Sequence, residues 1–387
     1  MKVLQINTVY GSGSTGRIVA GIDKVLVDAG VESYCAFGYG NLEDAHHYRI
    51  INNIDSKLHN IQSRIFDSQG LHSTYKTKQF VKWIDNINPD IIHLHNLHGN
   101  YLSYNVLFDY LQKKSCKIVW TLHDCWLFTG HCAYFDLVNC TKWKSLCYNC
   151  PQLRTYPPAL LDRTSRNYQL RKELFTSVKN RLALVPVSNW LASLLKESFF
   201  FDANIKTIHN GINLTKFKHY EVIPEKPYIL GVAACWDKRK GLVDFIKLRE
   251  SLDFSIEIKL VGLSKRQIST LPNGITGIER TNNEEELAKL YSGAIAFVNT
   301  TYEDNYPTVN LEAIACGTPV ITYRTGGSPE SILNGCGEVV EQGDIESIVN
   351  AICKFRSSLK IDISRIAVSH FNEEECFRSY LKLYKNI

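Results

Sequence analysis

Short runs of apolar and β-branched residues alternate along the chain with longer segments of helical periodicity. In the first half, strands are predicted at Lys2–Thr8, Ile91–His95, Lys117–Leu122 and Leu182–Val187. Helices are predicted between these strands at Gly16–Ala29, Leu102–Lys114 and Asp162–Lys179. This alternation predicts a parallel sheet that is covered by helices on both faces.

The pattern is interrupted once and then restarts. The segment 216–226 (KFKHYEVIPEK) is polar, and strands are predicted beyond it at Pro227–Ala234, Ile256–Gly262, Ala294–Asn299 and Thr318–Thr322. We therefore predict an α/β protein of two Rossmann-like lobes, residues 1–215 and 227–370, joined by a linker at 216–226. Because ligands of parallel sheets bind beyond the carboxyl ends of the strands, we expect the site in a central cleft that both lobes face.

Composition agrees with a two-domain globular protein, since 44% of the 387 residues are hydrophobic and 21% are charged. The chain lacks an apolar run of about 18 residues, and its N-terminus has the pattern of a strand and turn, so we expect a cytoplasmic protein. The net charge of +5 is mild and dispersed, which argues against a nucleic-acid partner. Twelve cysteines are too few for a disulfide scaffold and should be thiols or metal ligands.

Two loops that follow predicted strands could approach an anion. Gly11–Arg17 (GSGSTGR) is a glycine-rich turn that opens a helix, although such turns also occur for packing reasons alone. Trp236–Gly241 (WDKRKG) places three adjacent cations at a strand-to-helix junction. These cations suit a phosphate or diphosphate, and a solvated surface loop is the alternative.

Two carboxylates bracket the start of a fourth predicted helix, Thr308–Cys316. Asp304 lies in the loop before it, and Glu312, eight residues later, lies about one turn inside. This spacing would let one carboxylate bind a sugar and the other a vicinal diol such as a ribose, while N–H groups at the helix start hold phosphates. The alternative is that Glu312 is an ion-paired helix residue.

The segment Asp304–Glu330, together with WDKRKG and with His209–Asn213 (HNGIN), resembles glycosyltransferase family 4, whose members are retaining enzymes of GT-B fold. The resemblance extends over nearly the whole chain. It is greatest to bacterial members that build colanic acid, capsule and other exopolysaccharides. It implies a sugar transferase of the hexosyl or N-acetylhexosaminyl type.

The resemblance also implies roles for individual residues. Glu312 would bind the ribose, Asp304 the hydroxyls of the transferred sugar and Lys240 the diphosphate, while His123 would point at the donor sugar. We expect His123, Asp304 and Lys240 to form the catalytic set, with a buried structural histidine as the alternative for His123. The family usually has Glu where this chain has Asp304, and Glu303 is one residue out of register.

Further positions complete the expected site. The family's usual second cation, five residues before Lys240, falls on Cys235, so Arg239 or Lys238 would replace it. The remaining donor-binding positions are Tyr306, Pro307, Thr308 and Arg280, the glycine loop contributes Gly11 and Gly13, and His98 is expected on the acceptor side. No two aspartates are separated by one residue, so we expect catalysis without a metal cofactor.

The resemblance also suggests partners. We expect a UDP- or GDP-sugar as donor and a glycan, carried on undecaprenyl diphosphate, as acceptor. A lipid-linked acceptor would require peripheral contact with the inner face of the cell membrane, to which Lys57, Arg64, Lys76 and Lys78 could contribute. A final helix within 371–387 should cross back to the first lobe, as in relatives.

A cysteine-rich insertion at about 125–160 goes beyond the family pattern. Cys132, Cys140, Cys147 and Cys150 are separated by seven, six and two residues, and the last pair forms a C-x-x-C motif. Four thiolates on short loops predict a structural zinc site without an open coordination position. Free thiols and a redox or iron–sulfur role are the alternatives.

Two other classes of function are compatible with these motifs. The first is another GT-B enzyme, either a nucleotide-sugar epimerase or a phosphorylase. The second is a non-catalytic protein that binds a nucleotide or serves as a scaffold, which the paired acids and the intact cationic loop disfavour. Hydrolysis of the donor in the absence of acceptor would separate an enzyme from a scaffold.

Overall fold

A computed structural model describes residues 1–356 and 360–387. The chain divides into two compact units. The first comprises Met1–His209 with Phe377–Ile387, and the second comprises Asn210–Cys376. The division falls before the expected linker at 216–226, which belongs to the second unit and contributes the buried side chain of Phe217 to it.

The first unit contains a parallel sheet of seven strands, in the order β3-β2-β1-β4-β5-β6-β7. The strands are β1 (Lys2–Val9), β2 (Glu32–Tyr39), β3 (His47–Arg49), β4 (Ile91–Leu94), β5 (Lys117–Leu122), β6 (Leu182–Pro186) and β7 (Asn204–Ile205). The helices up to residue 209 are α1 (Gly13–Asp28), α2 (Asn53–Phe66), α3 (Thr74–Ile87), α4 (Tyr104–Leu111), α5 (Thr164–Thr176) and α6 (Asn189–Glu197). From β1 the next strands are added on one side, to β3, and the later strands are added on the other side, from β4 to β7. Parallel sheets of this kind bind ligands at the point where the order changes, here between β1 and β4.

The second unit repeats this arrangement with six parallel strands, in the order β10-β9-β8-β11-β12-β13. They are β8 (Tyr228–Val232), β9 (Glu257–Val261), β10 (Ile275–Ile278), β11 (Phe297–Asn299), β12 (Val320–Tyr323) and β13 (Gly337–Val340). The helices are α7 (Leu242–Ser251), α8 (Lys265–Ile268), α9 (Glu284–Gly293), α10 (Thr308–Ala315), α11 (Ile345–Phe355) and α12 (Lys360–His370). The corresponding reversal lies between β8 and β11. The predicted α/β class with two Rossmann-like lobes is confirmed.

The last helix, α13 (Glu373–Asn386), begins in the second unit and continues into the first. Phe377, Tyr380, Leu383 and Tyr384 are buried with residues of α1 and of four strands of the first sheet. Gly21 permits this packing, because a Cβ atom at that position would overlap the ring of Phe377. Of the helices in the described ranges, none has both the length and the apolar character needed to cross a bilayer.

Polar contacts fix α13 to the first sheet. The Tyr384 hydroxyl lies 2.6 Å from Nδ1 of His93 on β4, and the Thr121 hydroxyl donates to the Tyr380 oxygen at 3.2 Å. Nε2 of His93 lies 2.8 Å from the same threonine oxygen, to which it can donate. The buried imidazole therefore has a partner on each nitrogen, as a buried polar group requires. Burial keeps the pKa of His93 well below its ordinary value.

A second buried histidine is held neutral by backbone geometry. The N–H of Gly70 donates to Nε2 of His59 at 3.3 Å, so that nitrogen carries a lone pair, while Nδ1 lies 2.8 Å from the Ser73 hydroxyl. Burial, with a smaller repulsion from His72, lowers the pKa of His59 to about 3. A proton on Nε2 would break the contact with Gly70.

These neutral histidines predict that the protein loses stability in mild acid. The unfolded chain binds more protons than the folded chain between the folded pKa of about 3 and the ordinary value of 6.5, so the free energy of unfolding rises with pH in that window. Between pH 7 and pH 5 we expect His59 alone to cost about 2 kcal/mol of stability, and His93 to act in the same direction. Urea unfolding at both pH values measures the difference.

A His59→Gln variant should show a shallower pH dependence than wild type, because the glutamine does not titrate. The control is His370→Gln, since His370 is exposed and should leave the slope unchanged. Equal slopes for wild type and His59→Gln would contradict this account of the buried histidine.

Candidate active site

The structure brings Lys240 and Asp304 together in the second unit. Lys240 ends a short 3₁₀ helix that follows β8, and Asp304 lies in the loop that follows β11. Because β8 and β11 are neighbours in a parallel sheet, these two loops emerge side by side. Lys240 Nζ lies 2.6 Å from Asp304 Oδ2, and both side chains are about four-fifths buried. Asp304, and not Glu303, therefore supplies the carboxylate that pairs with Lys240. The side chain of Glu303 is buried, and its backbone carbonyl oxygen accepts a hydrogen bond from the Thr301 hydroxyl.

The cationic loop has a defined conformation. Asp237 caps the 3₁₀ helix by accepting from the backbone N–H of Arg239 at 2.9 Å, and its other oxygen accepts from Nε of Arg239 at 3.1 Å. Gly241 has φ +68°, and a Cβ atom there would overlap the Thr300 carbonyl. The Thr300 hydroxyl in turn donates to the Lys240 carbonyl oxygen at 3.0 Å. These contacts hold Lys240 against the end of β11.

The helix α10 begins at Thr308, four residues after Asp304. Pro307 occupies its N-cap position and Thr308 is its first residue, so the helix start lacks a side-chain cap at this residue. Backbone N–H groups at such a start carry partial positive charge and suit an anion. Tyr306 is buried beside this start, and burial raises the pKa of its hydroxyl above the ordinary value.

Glu312 lies on the second turn of α10 and is 7% exposed. Its Oε2 accepts a hydrogen bond from the hydroxyl of Tyr291, on α9, at 3.2 Å. A carboxylate held in this way has a fixed direction and keeps acceptor capacity for a further donor, such as a sugar hydroxyl. The sequence placed Glu312 correctly within the helix but gave no sign of its partner Tyr291.

A buried network of polar side chains connects α10 to β11 and to the segment after β12. Asn310 Nδ2 donates to the hydroxyl oxygens of Ser328 and Ser331, at 3.1 and 2.9 Å, and its Oδ1 accepts from Asn299 at 2.8 Å. Asn299 ends β11, so the network ties the helix to the strand that positions Asp304. Sequence reasoning missed these residues, although a polar Asn in an otherwise apolar helix is a signal of this kind of contact.

Three predicted donor-binding residues lie outside this group or are engaged elsewhere. Lys238 is exposed, and Arg239 forms its ion pair with Asp237. Arg280 is exposed just beyond β10, which is the edge strand and is separated from β8 by β9. The structure therefore unites Lys240, Asp304 and the start of α10, whereas Arg280 follows a strand that is two positions away from β8 in the sheet.

In the first unit, the glycine loop connects β1 to α1. Gly11 and Gly13 have φ of +68° and +64°, a region that residues with a side chain rarely adopt. The N–H of Gly11 donates to the Gly16 carbonyl oxygen at 2.9 Å, which closes the turn. A Cβ atom at Gly11 or Gly13 would meet nothing within 4 Å, so the backbone here is open to a ligand.

A chain of buried side chains fixes the tautomer of His123, one residue beyond β5. The Gln5 amide nitrogen donates to the Val19 carbonyl oxygen, so the Gln5 amide oxygen faces Nε2 of His95, 3.3 Å away. His95 must therefore carry its proton on Nε2 and accept on Nδ1, which lies 3.2 Å from Nε2 of His123. His123 consequently carries its proton on Nε2.

Burial, only partly offset by Asp124, lowers the pKa of His123 to about 4, so the imidazole is neutral at pH 7. Burial likewise lowers the pKa of His95, with added repulsion from neighbouring histidines. A neutral His123 whose Nδ1 is an acceptor can bind a hydroxyl group, which suits a hydrogen-bonding role rather than that of an acid.

His98 and Asp124 form a pair at the same sheet edge. Nε2 of His98 lies 2.8 Å from Asp124 Oδ2, and the other carboxylate oxygen accepts from the backbone N–H of Trp126 at 2.9 Å. Burial opposes ionisation of Asp124, but the contacts with His98 and Trp126 outweigh it and lower its pKa. His98 is itself 7% exposed and therefore sits inside the loop rather than on its surface.

The cysteine-rich loop lies after β5. The Cys132 thiol is hydrogen-bonded to the Cys150 sulfur, which raises the pKa of Cys132 and lowers that of Cys150 to about 7. Cys147 accepts a hydrogen bond from the N–H of Gly130 at 3.3 Å. Within the described residues, no three of Cys132, Cys140, Cys147 and Cys150 have their sulfurs within 4.8 Å of one another. The donors are thus clustered without forming a closed tetrahedral set.

Comparison with known proteins identifies relatives along the whole chain. The Escherichia coli K12 protein described as a putative colanic acid biosynthesis glycosyl transferase, WcaC, is 25% identical and is covered completely, as is this chain. The Staphylococcus aureus capsular polysaccharide biosynthesis glycosyltransferase CapM is 24% identical over 38% of this chain and 43% of its own length.

Solved structures share the fold. Sucrose-phosphate synthase from Thermosynechococcus elongatus superposes with a TM-score of 0.71 at 18% identity, over 100% of this chain and 98% of that chain. Anabaena HepE, solved in complex with UDP-glucose, superposes with a TM-score of 0.67 at 13% identity over both entire chains. The predicted GT-B fold class is confirmed.

Two family models cover most of the sequence. The model for glycosyl transferases group 1 matches residues 215–360, which include Lys240, Asp304 and Glu312. The model for glycosyltransferase family 4 matches residues 17–216, about half of the chain. With the whole-chain similarity described above, these matches show that the chain belongs to glycosyltransferase family 4.

Proposed function

We propose that this glycosyltransferase is a retaining enzyme that moves a sugar from a nucleotide-diphosphate sugar to a glycan acceptor in bacterial surface polysaccharide biosynthesis. The observation that carries the proposal is the Lys240–Asp304 pair at the strand reversal of the second sheet, directly before the start of α10. The colanic acid and capsular relatives support the pathway, and the complexes of HepE with UDP and UDP-glucose support the donor class.

The chemistry follows from where charge develops. As the bond between the sugar C1 and the phosphate oxygen breaks, the leaving diphosphate gains negative charge, which Lys240 and the start of α10 stabilise. The acceptor oxygen forms its bond to C1 on the same face, and its proton passes to the leaving phosphate oxygen. Asp304 and Glu312 bind hydroxyls of the sugar and of the ribose. The first unit supplies His123 as a hydrogen-bond partner of the sugar and His98 on the acceptor side.

A panel of UDP- and GDP-sugars tests the donor site by thermal shift. We expect one nucleotide class to raise the melting temperature of wild type in proportion to RT ln(1 + [L]/Kd). Glu312→Gln should bind at least about tenfold more weakly, because a charged hydrogen bond to the ribose is worth about 1.5 to 3 kcal/mol. Lys240→Ala should reduce transfer about 10² to 10³-fold.

The control for the donor panel is Glu346→Gln, an exposed acid at the start of α11. A panel in which no nucleotide sugar stabilises wild type would overturn the assignment of the second unit as a donor site. Conversion of the donor sugar without any acceptor would favour the epimerase alternative over transfer.

We further propose that α2 rests on an anionic lipid surface that carries the acceptor. The helix exposes an apolar stripe, hereafter the α2 stripe, formed by Ile54, Leu58, Ile61 and Ile65, with Ile54 79% and Leu58 55% exposed. Spacings of three and four residues place these side chains on one face of the helix. A helix with such a stripe and flanking cations is typical of proteins that lie in a membrane interface.

Neighbouring residues extend the α2 stripe. The backbone of the exposed residues Leu160 and Leu161 donates to carbonyl oxygens at the end of α2, at 2.7 and 3.1 Å. Tyr75 is 70% exposed and lines a cavity of about 180 Å³ together with Leu58. Five cations lie on α2 and α3, namely Lys57, Arg64, Lys76, Lys78 and Lys82, and the carboxylate of Asp55 lies 4.0 Å from Nζ of Lys76.

Vesicle co-sedimentation tests the lipid surface. Wild type should bind phosphatidylglycerol vesicles and bind phosphatidylcholine vesicles much less, because the cations require anionic lipid. A Leu58→Glu/Ile61→Glu variant should bind at least about tenfold less, since each glutamate opposes insertion of the α2 stripe. Val243→Glu is the control, because Val243 is 63% exposed on α7. Equal sedimentation of the double variant and wild type would refute the proposal.

A structural zinc ion at Cys132, Cys140, Cys147 and Cys150 remains a proposal of its own. The four donors suit zinc, and the Cys132–Cys150 hydrogen bond already joins the two ends of the loop. Closing the site would require the sulfurs to draw together. The ion would order the loop and take no part in transfer.

Elemental analysis of purified protein tests the cysteine loop. Cys147→Ala should lose one zinc per chain relative to wild type, because a three-thiolate site binds zinc less well. Cys353→Ala, which removes an exposed cysteine, should lose none. Retention of the full zinc content by Cys147→Ala would contradict this assignment.

A further inference from the structure

We propose that Asp23, Cys35 and His47 form a binding site for a zinc-class transition metal in the first unit, hereafter the β2–β3 site. One carboxylate oxygen, the thiol sulfur and one imidazole nitrogen lie within 4.8 Å of one another. These residues are distinct from the cysteine-rich loop and from the donor-binding residues of the second unit. The proposal does not depend on the proposed function.

Strand register creates the β2–β3 site. Cys35 and His47 are direct partners in the pairing of β2 with β3, so their side chains stand next to each other on one face of the sheet. Asp23 comes from α1, which packs on the first sheet. Cys35 is 1% exposed and Asp23 is 8% exposed, so two of the three ligands are buried in the unit.

The environment of His47 determines which nitrogen could bind a metal. Its Nδ1 lies 2.9 Å from Asp44 Oδ1, and the same carboxylate accepts from the backbone N–H groups of His46 and His47. A carboxylate is an acceptor, so in the neutral ring Nδ1 carries the proton and Nε2 carries the lone pair. Metal-binding histidines commonly use their second nitrogen in this way.

The lone pair on Nε2 of His47 then faces the carboxylate of Asp23, which is also an acceptor. Nε2 is a buried atom without a hydrogen bond, and it lies 3.6 Å from Asp23 Oδ2. A lone pair beside a buried carboxylate oxygen is unfavourable unless a cation lies between them or the ring becomes protonated. A metal ion bound by Asp23, Cys35 and His47 satisfies all three groups at once.

Further contacts orient the other two ligands. The Tyr10 hydroxyl donates to Asp23 Oδ2 at 2.8 Å, which leaves lone pairs on the carboxylate for a metal. The Gln5 amide nitrogen approaches Cys35 Sγ at 3.8 Å and could stabilise a thiolate. Such supporting hydrogen bonds to the ligands are a normal part of metal sites.

The donor set indicates the class of metal. One thiolate, one imidazole and one carboxylate match zinc, and they match calcium or magnesium poorly because those ions prefer oxygen ligands alone. Three protein ligands leave a fourth position for water. His47 retains 14% side-chain exposure on the edge strand β3, which provides a route for the ion.

Cobalt(II) titration of the full chain tests the β2–β3 site, because thiolate-bound cobalt absorbs light and zinc does not. Wild type should bind one more equivalent of cobalt than His47→Gln or Cys35→Ser, and the difference spectrum should contain a sulfur-to-cobalt charge-transfer band. Subtraction of the variant from wild type removes any contribution of the cysteine-rich loop. Zinc should also raise the melting temperature of wild type more than that of His47→Gln.

Two matched variants serve as controls. His46→Gln changes the adjacent, exposed histidine, and Cys235→Ser removes an exposed cysteine of the second unit, so both should bind cobalt as wild type does. Circular dichroism of His47→Gln establishes that the chain is folded, and Asp23→Asn, which keeps the side-chain volume, provides a second test of a ligand.

The outcomes separate a metal site from a hydrogen-bonded cluster. Loss of one equivalent in the folded His47→Gln, Cys35→Ser and Asp23→Asn variants, with retention in both controls, supports the site. Identical cobalt stoichiometry and affinity in wild type and all three variants would overturn it. The residues would then form only a hydrogen-bonded cluster in which the Cys35 thiol donates to Asp23.

Discussion

The parallel pairing of β8 with β11 is the constraint on which the candidate active site depends. Adjacent parallel strands end at the same edge of the sheet, so the loops that follow them emerge side by side although they are about 60 residues apart in the chain. That geometry brings the Lys240 ammonium to 2.6 Å from the Asp304 carboxylate. Gly241 and the Asn310 network then fix each loop against the strand ends.

In the first unit, too, neighbouring parallel strands end at one edge of the sheet, but the loops there carry glycines and neutral histidines instead of a lysine and a carboxylate. The loop after β1 supplies an open glycine backbone, and the segments after β4 and β5 supply histidines whose protons are assigned by their neighbours. A chain of hydrogen bonds runs from the Val19 carbonyl oxygen through Gln5 and His95 to His123, and it determines which nitrogen of His123 carries the proton. Buried neutral imidazoles therefore contribute direction rather than charge, while the cationic groups of the candidate site lie in the second unit.

The α2 stripe and the β2–β3 site both contain side chains that hydrophobic core packing does not account for. The α2 stripe has the periodicity of a buried helix face, yet Ile54 and Leu58 remain exposed to solvent. In contrast, Asp23 and Cys35 are polar groups buried between α1 and the first sheet, and His47 lies beside them on the edge strand β3. Each is therefore a place where burial alone does not explain the residues present.

The sequence determined the two Rossmann-like sheets, the helix that starts at Thr308 and the glycine and cationic loops, because hydrophobic periodicity and turn chemistry are local properties. It did not predict β2, β3, α2 or α3, and so it could not align Cys35 with His47 or identify the α2 stripe. Only the tertiary structure decided that Asp304 rather than Glu303 meets Lys240 and that Tyr291 binds Glu312. Those outcomes depend on strand order and register, which join residues that are distant in the chain.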